Sequence, residues 1–357
     1  MSSNSSKESC VVAMSGLEGR DNPYPGPAIA RALRAARGES VTLVGFAYDA
    51  TLTGNYRGDL FDRIETTPLP GVPAATILPR IFEIHDELAI DVFIPALDSE
   101  LALFAKHRAE FEERGIQLFV PRPEAVRARY KQRLYTWAKE HAIHSPRTEV
   151  VASPETFWEQ ESWSFPCYLK GPLADAVRVE SLEEAVAVYG RLAARWGYPV
   201  LAQEPIRGEE FDVCAVAGED GVSVGAICIQ KTILSSAGKA IGAEVVDNPE
   251  ALAAAERVLA ALDWRGPLEI ELIREASSGR FFLLEVNARF PAWIGISPQA
   301  GLNLPDLLLR LALGEDLPAR RKPIAGTRFL RGSKTTLGDI RQLGQLVTTG
   351  HLIHNRD

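Results

Sequence analysis

Four short apolar runs, CVVAMSG, VTLVGFAYD, DVFIPALD and IQLFVP, alternate with helix-periodic stretches through the first 121 residues. Buried runs of that length, separated by helices such as AIARALRAA and ELALFAKHRAEFEERG, predict a parallel, doubly wound sheet. Ligands of such sheets sit beyond the carboxyl ends of the strands, where this chain carries Ser15, Gly16, Asp49 and Asp98. The first turn, SGLEGRDNPYPG, lacks the G-x-G-x-x-G spacing that brings a backbone close to a pyrophosphate, so no nicotinamide cofactor is expected. Asp98, Ser99 and Glu100 have two readings, contacts for a polar substrate or the acidic first turn of a helix.

The pattern changes near Pro121. RPEAVRARYKQRLYTWAKEHAI reads as one helix, SPRTEVV, FPCYLKG and YPVLAQEPI as strands, and EEFDVCAVAG and VSVGAICIQK as two strands joined by GEDG. Helix PEALAAAERVLAALDW precedes a second pair, PLEIELI and RFFLLEVNARF, joined by EASSG; helix PDLLLRLALG and a tail of one strand plus loops follow. A length of 357 residues accommodates two or three domains.

The formal net charge of −8, from 39 basic and 47 acidic residues, argues against nucleic acid or an anionic membrane as partner. No apolar run reaches eighteen residues, and the polar start MSSNSSKES lacks the zones of a signal peptide, so a cytoplasmic location is expected. Cys10, Cys167, Cys214 and Cys228 are too scattered for a zinc site or a disulfide framework and read as buried thiols.

The most informative segment is the second strand pair. Alternation places Glu269 and Glu271 on one face, and Glu285, Asn287 and Arg289 on one face of the returning strand. A turn centred on Ser278 sets Glu271 opposite Glu285 and Glu269 opposite Asn287, with Leu268, Ile270, Leu272, Leu284 and Val286 on the other face. Like charges directly opposed destabilise a sheet. A hard divalent cation, held by one or two carboxylates together with substrate phosphates, removes the conflict; a solvated face with weak repulsion is the alternative.

FLLEVNARF, preceded by PLEIEL, resembles the ATP-grasp superfamily, specifically the carboxylate–amine ligases related to the carbamoyl-phosphate synthase large subunit. RYKQRLYTWAKEHAIHSPRT, FPCYLKG and VLAQEPIRGEEFDV are similar to further superfamily segments and arrive in the same order, so the resemblance runs from about Val126 to Gly314. It implies an α/β fold in which an N-terminal parallel-sheet pre-ATP-grasp domain (10–121) follows a disordered leader (1–9) and precedes a two-subdomain α+β ATP-grasp module (122–200 and 201–357).

The same resemblance implies ATP contacts at Lys131, Lys170, Gln203, Glu204, Ile206 and Glu210. The Glu204 carbonyl and the Ile206 N–H would read adenine, Glu210 the ribose hydroxyls, and the two lysines the phosphates. One or two Mg²⁺ ions, with Mn²⁺ as an alternative, would be held by Glu271, Glu285 and Asn287, while Arg289 and Lys170 would serve catalysis. Glu269 has no assigned role.

Two departures stand out. KGPLADAVRVES offers only Gly171 where relatives carry a glycine- and serine-rich phosphate loop, which shifts phosphate closure to QKTILSSAGKAIG with Lys231 and Lys239; Ala288 replaces a proline. The implied activity is ATP-dependent ligation of an amino acid or peptide through an acyl phosphate. The rivals are a nucleotide-binding regulatory or scaffold protein that has lost turnover, and an oxidoreductase using the N-terminal sheet. Asp98 and Trp293 are candidates for substrate contact, although an interface-packing role for Trp293 is equally compatible. A homodimer is compatible with the sequence.

Overall fold

The computed structural model describes residues 9–19, 23–69, 71–154, 158, 163–172, 175–235, 238–332 and 335–354. Residues 1–8 of the polar leader, and residues 173–174 and 236–237 in the two candidate phosphate loops, lie outside that set.

Strands β1 (Cys10–Met14), β2 (Val41–Ala47), β3 (Arg63–Thr66) and β4 (Val92–Ile94) form a parallel sheet in the order β3-β2-β1-β4. The first three apolar runs are strands as expected. The fourth, IQLFVP, contributes one parallel bridge, Val92 to Gln117. Strand β3 carries no apolar run: in RIET, Glu65 is 1% exposed and its charge is met by Arg63 and Arg80. Gly26 opens helix Gly26–Arg37 against the end of β1, where a β-carbon would lie 2.5 Å from the Ser15 carbonyl oxygen. That glycine serves close packing of the chain on itself.

A small antiparallel sheet follows, with β5 (Thr148–Val151), β6 (Cys167–Lys170), β7 (Ala176–Val179) and β8 (Val200–Gln203) in the order β5-β8-β6-β7. The third sheet, also antiparallel, comprises β9 (Gly208–Ala217), β10 (Ser223–Leu234), β11 (Ala240–Val245), β12 (Gly266–Glu275), β13 (Phe281–Asn287) and β14 (Arg328–Leu330), ordered β13-β12-β9-β10-β11-β14. The tail holds more than one strand and loops. Helix Ile340–Thr349, started by a capping box between Asp339 and Gln342, carries the chain back, and β15 (His351–Ile353) pairs antiparallel with β3.

Apolar packing does not follow the order of the chain. One cluster joins Phe46, Phe93 and Phe104 under the first sheet to Val213, Leu268 and Ile270 of the third, and another joins Met14 and Leu43 to Ile227 and Leu308. The small sheet has a cluster of its own around Leu169, Val179, Leu192 and Ala202. All four cysteines are buried and unpaired.

Two features position residues of the candidate site. The expected single helix after Pro121 is two, Pro123–Ala128 and Lys131–Glu140, and the break at residues 129–130 presents Arg129 and Lys131. At the carboxyl ends of β1, β2 and β4, Glu100 accepts hydrogen bonds from the hydroxyls of Ser15 and Tyr48 and from the N–H groups of Ala96 (2.8 Å) and Leu97 (3.0 Å). These bonds tie the start of the helix after β4 to the carboxyl ends of β1 and β2.

Candidate active site

Glu269 lies opposite Asn287 and Glu271 opposite Glu285, the pairs that strand alternation predicts. Towards the turn the register shifts, with Leu272 facing Leu283. Leu284 is therefore an extra residue in β13, and it lines a narrow cleft with Lys131, Lys170 and Gln203 instead of joining the apolar face. Leu268, Ile270, Leu272 and Val286, none more than 2% exposed, fill that face. Each contributes about 1.5–3 kcal/mol relative to exposure, so a one-residue slip that turned them outward is energetically excluded.

The opposite face is charged and largely enclosed. Lys231 is in β10, not in a loop, and its side chain is 4% exposed. Its Nζ lies 3.0 Å from Glu271 Oε2, 3.0 Å from Asp212 Oδ1 and 3.2 Å from Glu210 Oε2. Burial opposes its charge, but the three carboxylates hold Lys231 protonated well above the usual lysine value. Glu271 is likewise penalised by burial and is nevertheless held down at about 2, chiefly by Lys231. Burial pushes Asp212 well up, against the pull of Lys231. Glu269 is pushed up to about 7 by burial and the charge of Glu271.

Asp212 was not anticipated, although alternation along β9 puts it on the face of Glu210 and directly across from Glu271. Lys231, expected in a closing loop, is committed as the counter-ion of three carboxylates on two neighbouring strands, β9 and β12. Lys239 stands at the exposed turn between β10 and β11, its N–H bonded to Ser235 Oγ at 3.1 Å.

Three of the nucleotide candidates, Lys131, Lys170 and Gln203, line the cleft between the small and third sheets. Lys131 begins its helix and reaches Glu285 Oε2 at 3.4 Å. Lys170 ends β6; burial and the charge of Lys131 push it down to about 8, with Glu285, Glu271 and Glu210 opposing. Gln203 ends β8, is 7% exposed and donates to Thr148 Oγ1 at 2.9 Å. In the hinge that follows, the N–H of Glu204 donates to the Arg147 carbonyl (3.0 Å) and its carboxylate accepts from the Arg147 N–H (2.8 Å). Among the described residues the Glu204 carbonyl and the Ile206 N–H have no backbone partner, the two groups expected to face a purine edge.

Three side chains enclose Glu269, which is 6% exposed. Trp293 Nε1 donates at 2.7 Å, Asn287 Nδ2 at 3.1 Å, and Arg289 Nη1 lies at 3.5 Å. Trp293, 6% exposed, is thus packed inside with its N–H spent on Glu269; its place is in the wall, not on a substrate face. Asp98 is likewise engaged, by Arg289 Nε at 2.8 Å and by Arg129 Nη1 at 2.9 Å. Arg129 carried no signal in the sequence.

A hard cation fits the donor set. Glu271 and Glu285 oppose one another with about a quarter of each side chain exposed to the cleft (25% and 26%). Asn287 spends its amide N–H groups on Glu269 and Glu271 (3.1 and 3.0 Å), which leaves its oxygen as the free donor. Among the described residues no three His, Cys, Asp or Glu side chains converge as a ready-made metal site. Two carboxylates and an amide oxygen, completed by water and phosphate, suit Mg²⁺ better than a protein-only cage. A larger cavity of about 210 Å³ lies behind the hairpin, against Leu272, Leu283, Phe281 and His144, and does not touch the carboxylates.

Residues 198–334 match the family described as "ATP-grasp in the biosynthetic pathway with Ter operon". Among solved structures the chain resembles a biotin carboxylase–beta-gamma-ATP complex from Campylobacter jejuni (TM-score 0.67, 15% identity, 86% of this chain and 72% of that one). It also resembles an L-amino acid ligase from Bacillus licheniformis (TM-score 0.64, 15% identity, 86% and 75%). An ADP complex of N5-carboxyaminoimidazole ribonucleotide synthetase gives a TM-score of 0.67 at 13% identity, over 90% of this chain and 80% of that one. No curated protein matches the sequence. Identities this low establish the fold, which is the α/β arrangement expected from the sequence. Among the described residues no helix is long and apolar enough to cross a membrane.

Proposed function

We propose, on the premise that this chain has the ATP-grasp fold, that it is an ATP-dependent carboxylate–amine ligase acting on an amino acid or peptide. The observation that carries the reading is the cleft lined by Lys131, Lys170 and Gln203, whose Lys131 reaches Glu285 of the opposed pair Glu271 and Glu285 at 3.4 Å. In this proposal residues 10–121, 122–200 and 201–357 form the pre-ATP-grasp domain and the two ATP-grasp subdomains, with β15 returned to the first sheet.

Glu204 and Ile206 would hold the adenine edge through the backbone, with Leu284 under the ring. Glu210, whose Oε2 lies 3.2 Å from Lys231 Nζ, would accept the ribose hydroxyls. Lys131 and Lys170 bring positive charge to the phosphates, and Arg289 to the anion that forms at the acyl carbon. Glu271, Glu285 and Asn287 would hold Mg²⁺, which when bound offsets charge on the phosphates. A substrate carboxylate oxygen attacks the γ-phosphorus, breaking its bond to the β–γ bridging oxygen and releasing ADP. The amine nitrogen then attacks the acyl carbon; phosphate leaves, and the amine proton passes to solvent. Positioning and charge carry the reaction with no enzyme-bound nucleophile.

Incubation with Mg-ATP, a panel of amino acids and hydroxylamine should give hydroxamate and ADP. Formation of AMP and pyrophosphate would overturn the acyl-phosphate route. A thermal shift with Mg-ATP but no ADP over the whole panel would favour the nucleotide-binding scaffold. The cleft also predicts a pH dependence. Phosphate favours the ammonium form of Lys170, so nucleotide affinity should hold steady below about 8 and decline as pH rises through it. Calorimetric titration between pH 6.5 and 9.5 checks this, and Lys170→Arg should flatten the decline.

A further inference from the structure

Helix Asp98–Lys106 starts shortly after β4 ends, and its first turn is fastened to the first sheet through Glu100, which is 1% exposed and bonded to Ser15 and Tyr48, the residues that follow β1 and β2. Asp98 opens that turn. Its Oδ2 accepts from Arg289 Nε at 2.8 Å and its Oδ1 lies 2.9 Å from Arg129 Nη1. Arg129, 9% exposed at the break between two helices, also donates to the carbonyl of Val286 (3.4 Å). Despite burial, the guanidinium groups of Arg289 and Arg129 hold the Asp98 carboxyl below the ordinary aspartate value, so it is a fixed anion.

Arg289 has other anions within reach. Glu269 Oε2 is 3.5 Å from its Nη1, and the charge of Glu285 also acts on it. A guanidinium free to settle on Glu285 would neutralise one of the carboxylates proposed to hold Mg²⁺ and would leave no donor for substrate. With Nε occupied by Asp98 and Nη1 by the Phe290 carbonyl (3.1 Å), Nη2 has no hydrogen-bond partner among the described residues.

We propose that Asp98 is a positioning residue for Arg289: the parallel-sheet domain holds the active-site arginine away from the metal carboxylates and leaves its Nη2 for the substrate anion, without itself touching nucleotide. The proposal deepens the ligase reading and rests on it for the role of Arg289. The bracket runs from β1 and β2 through Glu100 and Asp98 to Arg289. It gives the conformation of the helix N-terminus a direct consequence for anion binding.

The test uses the full chain with Asp98→Asn, Asp98→Glu and Arg129→Met. Affinity for MgADP should stay within about twofold in all three, while affinity for inorganic phosphate added to the MgADP complex should fall about tenfold or more in Asp98→Asn and recover in Asp98→Glu. In arginine-¹⁵N-labelled protein, the Arg289 Nε–H resonance, assigned by its loss in Arg289→Lys, should show slow exchange with water in the parent and in Arg129→Met, and fast exchange in Asp98→Asn. A folded Asp98→Asn that keeps both phosphate affinity and slow Nε–H exchange would overturn the proposal. So would loss of slow exchange in Arg129→Met, where Asp98 is intact. Failure of every acid to give hydroxamate would count against the ligase reading alone, because the Nε–H measurement needs no turnover.

Discussion

Lys231→Met is expected to destabilise the protein by about 3–5 kcal/mol, the usual consequence of removing one partner from a buried ionic cluster. For a chain of this size that amounts to a fall in Tm of about 5 °C. The reason lies in the numbers around its ammonium: three carboxylates within 3.2 Å, on a side chain 4% exposed, with Asp212 itself 3% exposed. Methionine fills the volume and supplies no charge. Without the ammonium, Asp212, already pushed up by burial, is pushed up further, and Glu271, held down at about 2 in the parent, rises above the value of the unfolded chain. A carboxyl with a raised folded value stabilises below the unfolded value and loses that contribution as pH rises through the folded one. The deficit against the parent should therefore be largest near pH 8 and shrink towards pH 5. Thermal unfolding of both proteins across that range checks the magnitude and the slope, and a small, pH-independent loss would refute the cluster as a unit.

Glu285→Gln should have the opposite profile. Glu285 faces Glu271 across the hairpin, and like charges so placed cost a few tenths of a kcal/mol or more. Removing one charge should leave Tm unchanged or slightly higher, since the partner lost, Lys131 at 3.4 Å, belongs to a partly exposed pair worth little. Mg-ATP turnover should fall by about 10²–10³, with a higher Mg²⁺ requirement, because a neutral amide replaces one of two carboxylates in the metal set. A variant that gains stability while losing activity places Glu285 in the chemistry and not in the scaffold. Equal loss of both would assign it to structure.

Period-two alternation in PLEIEL and FLLEVN made the facing pairs of the hairpin legible, because each face is set by residues adjacent along the chain. Its limit is visible in the same two strands. An extra residue in β13 moves Leu284 from the apolar face to the cleft, and no local pattern marks that bulge. Asp212 could have been read from its spacing to Glu210, whereas β3 could not: RIET has one apolar residue and buries a glutamate between arginines.

The sequence leaves Asp98 open between a substrate contact and the acidic first turn of a helix, which is where it lies, and assigns Lys231 with Lys239 to a closing loop; in neither case does it show the charges they meet. Their partners are far along the chain, Arg289 for Asp98 and the strands of Glu210, Asp212 and Glu271 for Lys231. The amino-acid sequence by itself determined which residues alternate, which face of each strand is apolar, and the order of segments that marks the fold. Only the tertiary structure decided which charges meet. Alternation is local and written in every few residues, while the pairing of charges depends on how β9, β10, β12 and the turn at Asp98 pack together, a choice made by the apolar core that joins them.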